Sequence, residues 1–148
     1  MTPAAYEYFE TDADIGVIGR GPTAAEAFVQ TALGVFALIV EPAEVEERER
    51  REVRAHGDSL ESLLVAWINE CLYVHDVEGF VARRIELEVF DATARAGGER
   101  LRLHSFLHGE EVDPSRHRLG TVVKAATMHQ VSTRPTEEGF ETRLVLDV

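Results

Sequence analysis

Asp12 and Asp14 stand two residues apart, just before Ile15. In an extended segment such positions point the same way. Two carboxylates held together either take a cation or force a pKa upward, and their hard oxygens suit Ca2+ or Mg2+. The competing reading is an acidic turn, since Asp is a favoured turn residue. Asp147 stands beside the last residue, Val148. An Asp next to a terminal carboxylate gathers several oxygens within one residue, again a setting for a divalent ion. Leu144, Val145 and Leu146 precede it as an apolar strand, so the tail is expected to be held rather than frayed.

Other residues could carry protons or phosphate. His117 and His129 bracket Lys124, which sits among β-branched residues. Such a lysine is either a donor to phosphate or carboxylate or an edge-strand lysine with its stem laid along apolar surface. His117, His129 and Asp14 are together an acid–base set for a stand-alone enzyme. His104 and His108 share one strand face, but four residues of strand advance about 13 Å, so they read as surface or structural residues. Cys71 lies on an apolar helical stripe and reads as a buried, inert thiol. There is no phosphate-binding glycine loop, no paired-cysteine zinc pattern and no nucleophile-elbow serine.

These residues must be positioned by a small set of elements. Thr23 and Glu26 form a capping pattern. Ala24, Ala27, Phe28, Ala32, Val35, Phe36 and Ile39 then recur near helical period, and Pro42 lies past the end. Asp58 and Glu61 make a second capping signal, followed by Leu60, Leu63, Leu64, Trp67, Ile68, Cys71 and Leu72 as one stripe. Alternation around Ile85–Val89 and Leu101–Leu107 reads as strands. Thr121 to Thr133, Phe140 to Val148, Tyr6 to Phe9, Ile15 to Gly19 and Arg51 to His56 read the same way. Gly97-Gly98 and Pro135 to Gly139 read as hairpin turns. The expected class is α+β: one domain over residues 1–148, with two helices packed on one face of a largely antiparallel (mixed) β-sheet.

The 148 residues carry 27 acidic and 15 basic side chains, a formal charge of −12. That average field repels nucleic acid. The arginines are interleaved with glutamates, as in Glu46 to Glu52, which reads as a solvated face. A metal ion or a basic protein partner fits the charge better than DNA or RNA bound directly. A single cysteine fits a reducing, cytoplasmic setting. The start of the chain lacks a signal-peptide pattern, and Ala24–Val40 is too interrupted to span a membrane.

Taken in order, these segments resemble the archease family. Thr11-Asp12-Ala13-Asp14-Ile15 stands where the family has His-Thr-Ala-Asp-Ile. Leu63-Leu64-Val65-Ala66-Trp67-Ile68-Asn69-Glu70 is similar to its Leu-Leu-Val-Asp-Trp-Leu-Asn-Glu helix. Gly109 through Asp113 to His117 is similar to its Gly-Glu-x-x-Asp-x-x-x-His loop, and Val123-Lys124-Ala125-Ala126-Thr127-Met128-His129 to its Val-Lys-Ala-Val-Thr-Tyr-His strand. The ending Val145-Leu146-Asp147-Val148 resembles the family's. Thr11, Ala66 and Gly120-Thr121-Val122 depart from the pattern.

The resemblance implies that Asp14 and Asp147 are metal ligands and that Val148 adds a main-chain or terminal oxygen. The ion implied is Ca2+ or another divalent cation such as Mg2+ or Mn2+. It also implies an accessory protein of tRNA splicing and RNA repair. Its partner would be a GTP-dependent RNA ligase that joins 3′-phosphate and 5′-hydroxyl ends, with guanylylation and turnover promoted. RNA would be met through the ligase, and Lys124 would be a helper. The alternatives are the stand-alone His/Asp enzyme and a chaperone-like binding module.

Overall fold

A computed structural model of the chain describes residues 5–11, 14–93 and 100–148. Its first helix, α1, is Ala24–Ile39, opened by Thr23, whose hydroxyl accepts from the Glu26 N–H. Its buried stripe is Ala27, Phe28, Thr31, Ala32, Val35, Phe36 and Ile39, as the apolar period requires. The second helix, α2, is Leu60–Glu78. Its capping box is one step off the expected one. Ser59 is the cap and Ser62 closes the box, while Asp58 pairs with Arg100 and the Glu61 carboxylate accepts from the Thr133 hydroxyl. Both pairs have the required spacing, and Ser59 takes the extended conformation, with its hydroxyl accepting from the Ser62 N–H. Gly79 ends α2 in the left-handed region at φ 68° and returns its N–H to the His75 carbonyl, a conformation glycine adopts at no steric cost.

Among the described residues, seven strands complete the fold. They are β1 (Tyr6–Glu10), β2 (Ile15–Gly21), β3 (Glu49–Gly57), β4 (Phe80–Asp91), β5 (Leu101–Glu111), β6 (Ala125–Thr136) and β7 (Gly139–Asp147). All the pairings are antiparallel. The α+β class with two helices holds, and the strands divide between two sheets, ordered β1-β2-β7-β6 and β3-β5-β4. Each helix touches both sheets. α1 packs on β2, β7 and β4, and α2 packs on β3, β5 and β6. The core between them includes Phe28, Trp67, Leu63, Leu64, Ile68, Phe80, Leu103, Leu107, Leu144 and Leu146. Trp67 is wholly buried, and its indole N–H donates to Ser105 Oγ at 2.9 Å, so its one polar atom is satisfied.

Two boundaries differ from the expected ones. The strand around Lys124 begins at Ala125. Gly120 and Thr121 instead donate their N–H groups to the Ile39 and Leu38 carbonyls in the last turn of α1. A Cβ at Gly120 would overlap the Leu38 carbonyl oxygen, so this approach needs glycine. Pro135 lies inside β6, and the turn is confined to Glu137 and Glu138. Gly97-Gly98 falls outside the described residues.

Candidate functional site

The register of the first sheet assembles one corner from residues far apart in the chain. Ile15 pairs with Leu146 across β2 and β7. Asp14 precedes Ile15 and Asp147 follows Leu146, so both lie at this end of the ladder. Ala125 pairs with Asp147 across β6 and β7, and the Lys124 N–H donates to the Asp147 carbonyl at 2.8 Å. Asp14, Lys124, Asp147 and Val148 thus share one end of three adjacent strands. Asp14 and Val148 are half-buried there, and Lys124 and Asp147 are exposed. Among the described residues no hydrogen bond or ion pair engages either carboxylate or the Lys124 ammonium. Asp12 lies outside the described residues.

Neighbouring side chains fix this corner. The β1–β2 turn is closed by the Thr11 N–H donating to the Asp14 carbonyl at 3.2 Å, with the Thr11 hydroxyl directed to the same oxygen at 3.4 Å. Thr11, where the family pattern has His, therefore holds the backbone of Asp14. The Phe9 ring covers Gly16, where a Cβ would overlap it, and the Arg143 guanidinium stacks on that ring at 4.0 Å. From α2, the Asn69 side-chain oxygen accepts from the Ala126 N–H at 2.7 Å, and its amide N–H donates to the Ala126 carbonyl at 3.2 Å. Ala66, the other departure on that helix, packs half-buried against the core.

All-oxygen donors of this kind suit a hard cation. Two carboxylates at one corner repel without a counter-charge, and a divalent ion supplies one. Among the described residues no group of three or more His, Cys, Asp or Glu side chains could hold a metal.

His129 does not join this corner. Between the Thr127–Val145 and Ser132–Arg143 pairs, β6 spends Met128, His129, Gln130 and Val131 where β7 spends only Leu144. The bulge leaves Met128, His129 and Gln130 exposed, and Gln130 takes φ 56°, a conformation that costs a non-glycine residue on the order of 1 kcal/mol.

His117 is held elsewhere, in a buried cluster. Its Nδ1 accepts from the Asp113 N–H at 2.8 Å, and its Nε2 lies 3.0 Å from Glu110 Oε2. An accepting Nδ1 leaves the proton on Nε2, so the neutral ring donates to Glu110. With both nitrogens engaged and the side chain fully buried, His117 has no lone pair free for a substrate. The sequence reading passed over Glu110. It is 3% exposed and receives Arg116 Nη2 at 2.6 Å and the Glu46 N–H at 2.7 Å. Burial alone would raise its pKa. The bonds from Arg116, the Glu46 N–H and His117 outweigh that and hold it at about 2. This ties the Glu46–Glu52 run and the 113–117 loop to β5 as a structural knot. The motif's Glu110-x-x-Asp113 spacing was the available signal.

Cys71 is buried on α2, and its thiol pKa is pushed up by burial. His104 and His108 share the open face of β5, beside Glu52 and Glu86 respectively.

Known proteins resemble the whole chain. The model of the archease protein family matches residues 6–148. A protein archease from Pyrococcus abyssi is 37% identical over 144 residues, covering 97% of this chain and 98% of its own. The solution structure of Methanobacterium thermoautotrophicum protein 1598 superposes with a TM-score of 0.79 at 27% identity, covering 99% of this chain and all of that one. A Thermotoga maritima crystal structure described as an archease and possible chaperone shares the fold at a TM-score of 0.57 and 20% identity, covering 95% and 94% of the two chains.

Proposed function

The chain belongs to the archease family, and from that premise we propose that it is an accessory protein activating a GTP-dependent RNA ligase. In this reading it promotes guanylylation and turnover of a ligase that joins 3′-phosphate to 5′-hydroxyl ends, and it meets tRNA through that ligase. One observation supports the proposal: the β2–β7–β6 register that brings Asp14, Asp147 and Lys124 to one end of three adjacent strands.

Asp14 and Asp147 would hold a Ca2+, Mg2+ or Mn2+ ion, with Val148 contributing a main-chain oxygen. Such an ion supplies charge neutralisation to phosphate oxygens. The protein's own part is positional. Asn69 and the Thr11 turn fix the backbones that carry the carboxylates. Lys124, exposed and with no acidic partner among the described residues, is free to donate to a phosphate of the ligase's nucleotide. The engaged ring of His117 and the separate placement of His129 favour this reading over a stand-alone acid–base enzyme. The test is a titration of this protein into the ligase of the same source, following guanylylation and multiple-turnover ligation. Acceleration at substoichiometric amounts is expected. An unchanged rate would remove the proposal.

A further inference from the structure

The second sheet presents its outer side to solvent, and a cavity of about 670 Å3 lies over one end of it. Arg54, His56, Arg100, Arg102 and His104 line the cavity, with no carboxylate among its described lining residues. For a chain of net charge −12 this is a local reversal of sign. It arises from pairing. Arg54 sits opposite His104 and His56 opposite Arg102 across β3 and β5, so two period-2 patterns bring their basic residues to the same side.

The arginines are held from outside the cavity by surface ion pairs. Arg54 meets Glu52 at 2.7 Å, Arg100 meets Asp58 at 3.1 Å and Arg102 meets Asp91 at 3.9 Å. Their side chains remain 69%, 53% and 64% exposed, and pairs of that kind are held weakly and exchange at little cost. Against a phosphate, a guanidinium offers a two-pronged, charge-assisted contact. His104 Nε2 is shut from solvent with no hydrogen bond among the described residues, and Glu52 Oε1 lies 3.4 Å from it without bonding geometry. The Phe106 ring stands next along β5 on the same face, 5.2 Å from the His104 ring, with the Arg50 guanidinium over it at 4.5 Å and Glu52 and Glu86 opposite it across β3 and β4, so it marks the end of the basic patch.

We propose that this face binds the phosphodiester backbone of a single-stranded nucleic acid. Arg54, Arg100 and Arg102 take phosphate oxygens. Neither Asp14 nor Asp147 lines the cavity, so the site is separate from the acidic corner and does not rest on ligase activation. The field of the rest of the chain opposes the contact, so binding is weak and strongly salt-dependent.

The probe is a fluorescently labelled ten-nucleotide RNA of mixed sequence, titrated with the full chain at 50 and 200 mM salt. Inorganic phosphate and a nucleoside monophosphate are run as competitors. Three phosphate contacts predict a log–log salt slope of about −2. The double variant Arg54→Gln/Arg102→Gln is expected to weaken binding at least tenfold and flatten the slope to about −0.7. Arg134→Gln, on the first sheet, should leave it unchanged. Imidazole resonances of His56 and His104 should shift on addition of RNA to the unaltered protein. No binding at 50 mM salt, equal binding by the double variant, or saturation by inorganic phosphate without any strand binding would each overturn the proposal.

Discussion

The side chain of Asn69 and the backbone of Ala126 close a ring of two hydrogen bonds, one accepted and one donated. Ala126 pairs with Leu146, and its neighbour Ala125 pairs with Asp147. A residue in the middle of α2 therefore fixes the strand that flanks the acidic corner.

Asn69→Asp tests that link. The carboxylate still accepts from the Ala126 N–H but cannot donate to the Ala126 carbonyl, and it sets negative charge against that oxygen. Leaving that half-buried carbonyl unpaired costs about 1–3 kcal/mol, or a fall of a few degrees in Tm for a domain of this size. Backbone amide resonances of Ala126, Lys124 and Asp147 should move together. Unchanged melting with unmoved resonances would show that β6 is held by its strand pairing alone.

The Glu110 cluster makes a prediction about acid. Glu110 has a folded pKa of about 2, against about 4.3 unfolded. A depressed folded pKa contributes stability that is fully present above the unfolded value. It is lost as pH falls through the folded one, so the window runs from about pH 5 down to about pH 2. Glu110→Gln removes the charge at every pH. It should be less stable than the parent at pH 6, by on the order of 2 kcal/mol, and the difference should shrink steadily below pH 5. Denaturant melts of the two proteins at several pH values measure this. A gap that does not change with pH would show that the charge of Glu110 is not what holds the knot.

Helices were the most legible part of the fold, because one buried stripe at 3.6-residue period depends only on neighbours in sequence. Their caps were less so. Asp58/Glu61 and Ser59/Ser62 have the same spacing, and backbone geometry decides between them. The division of strands between two sheets was hidden because alternation reveals a face but not its partner strand. The same limit concealed that Arg54 and Arg102 share a face, a fact set by β3–β5 register across some fifty intervening residues. Glu110 was missed for a related reason. Strand alternation puts it on the outer side of β5, and its burial comes from the Glu46 and 113–117 segments folding over it. Asp14 and Asp147 were each readable from local pattern and resemblance, but their juxtaposition required the β2–β7 ladder.

That juxtaposition leads to the sharpest prediction about the corner. Asp14→Ala should remove most of the ligase stimulation while leaving the fold intact. The carboxylate has no hydrogen bond or ion pair among the described residues, so truncating it breaks no contact there. Surface changes of this kind fall within about 0.5 kcal/mol. Relief of the like charge at the corner shared with Asp147 should make the metal-free variant no less stable than the parent. An ion bound only by the folded state raises stability in proportion to its occupancy. Millimolar Ca2+ should therefore raise the Tm of the parent and not that of Asp14→Ala, and calorimetry should show the heat of binding lost. Asp12→Ala is the companion variant, with a smaller expected effect on both readouts. Thermal melts with and without Ca2+, read beside the ligation assay, separate the possibilities. Full stimulation by Asp14→Ala, with a Ca2+ shift equal to the parent's, would mean that Asp14 is a turn residue and that any ion is held elsewhere.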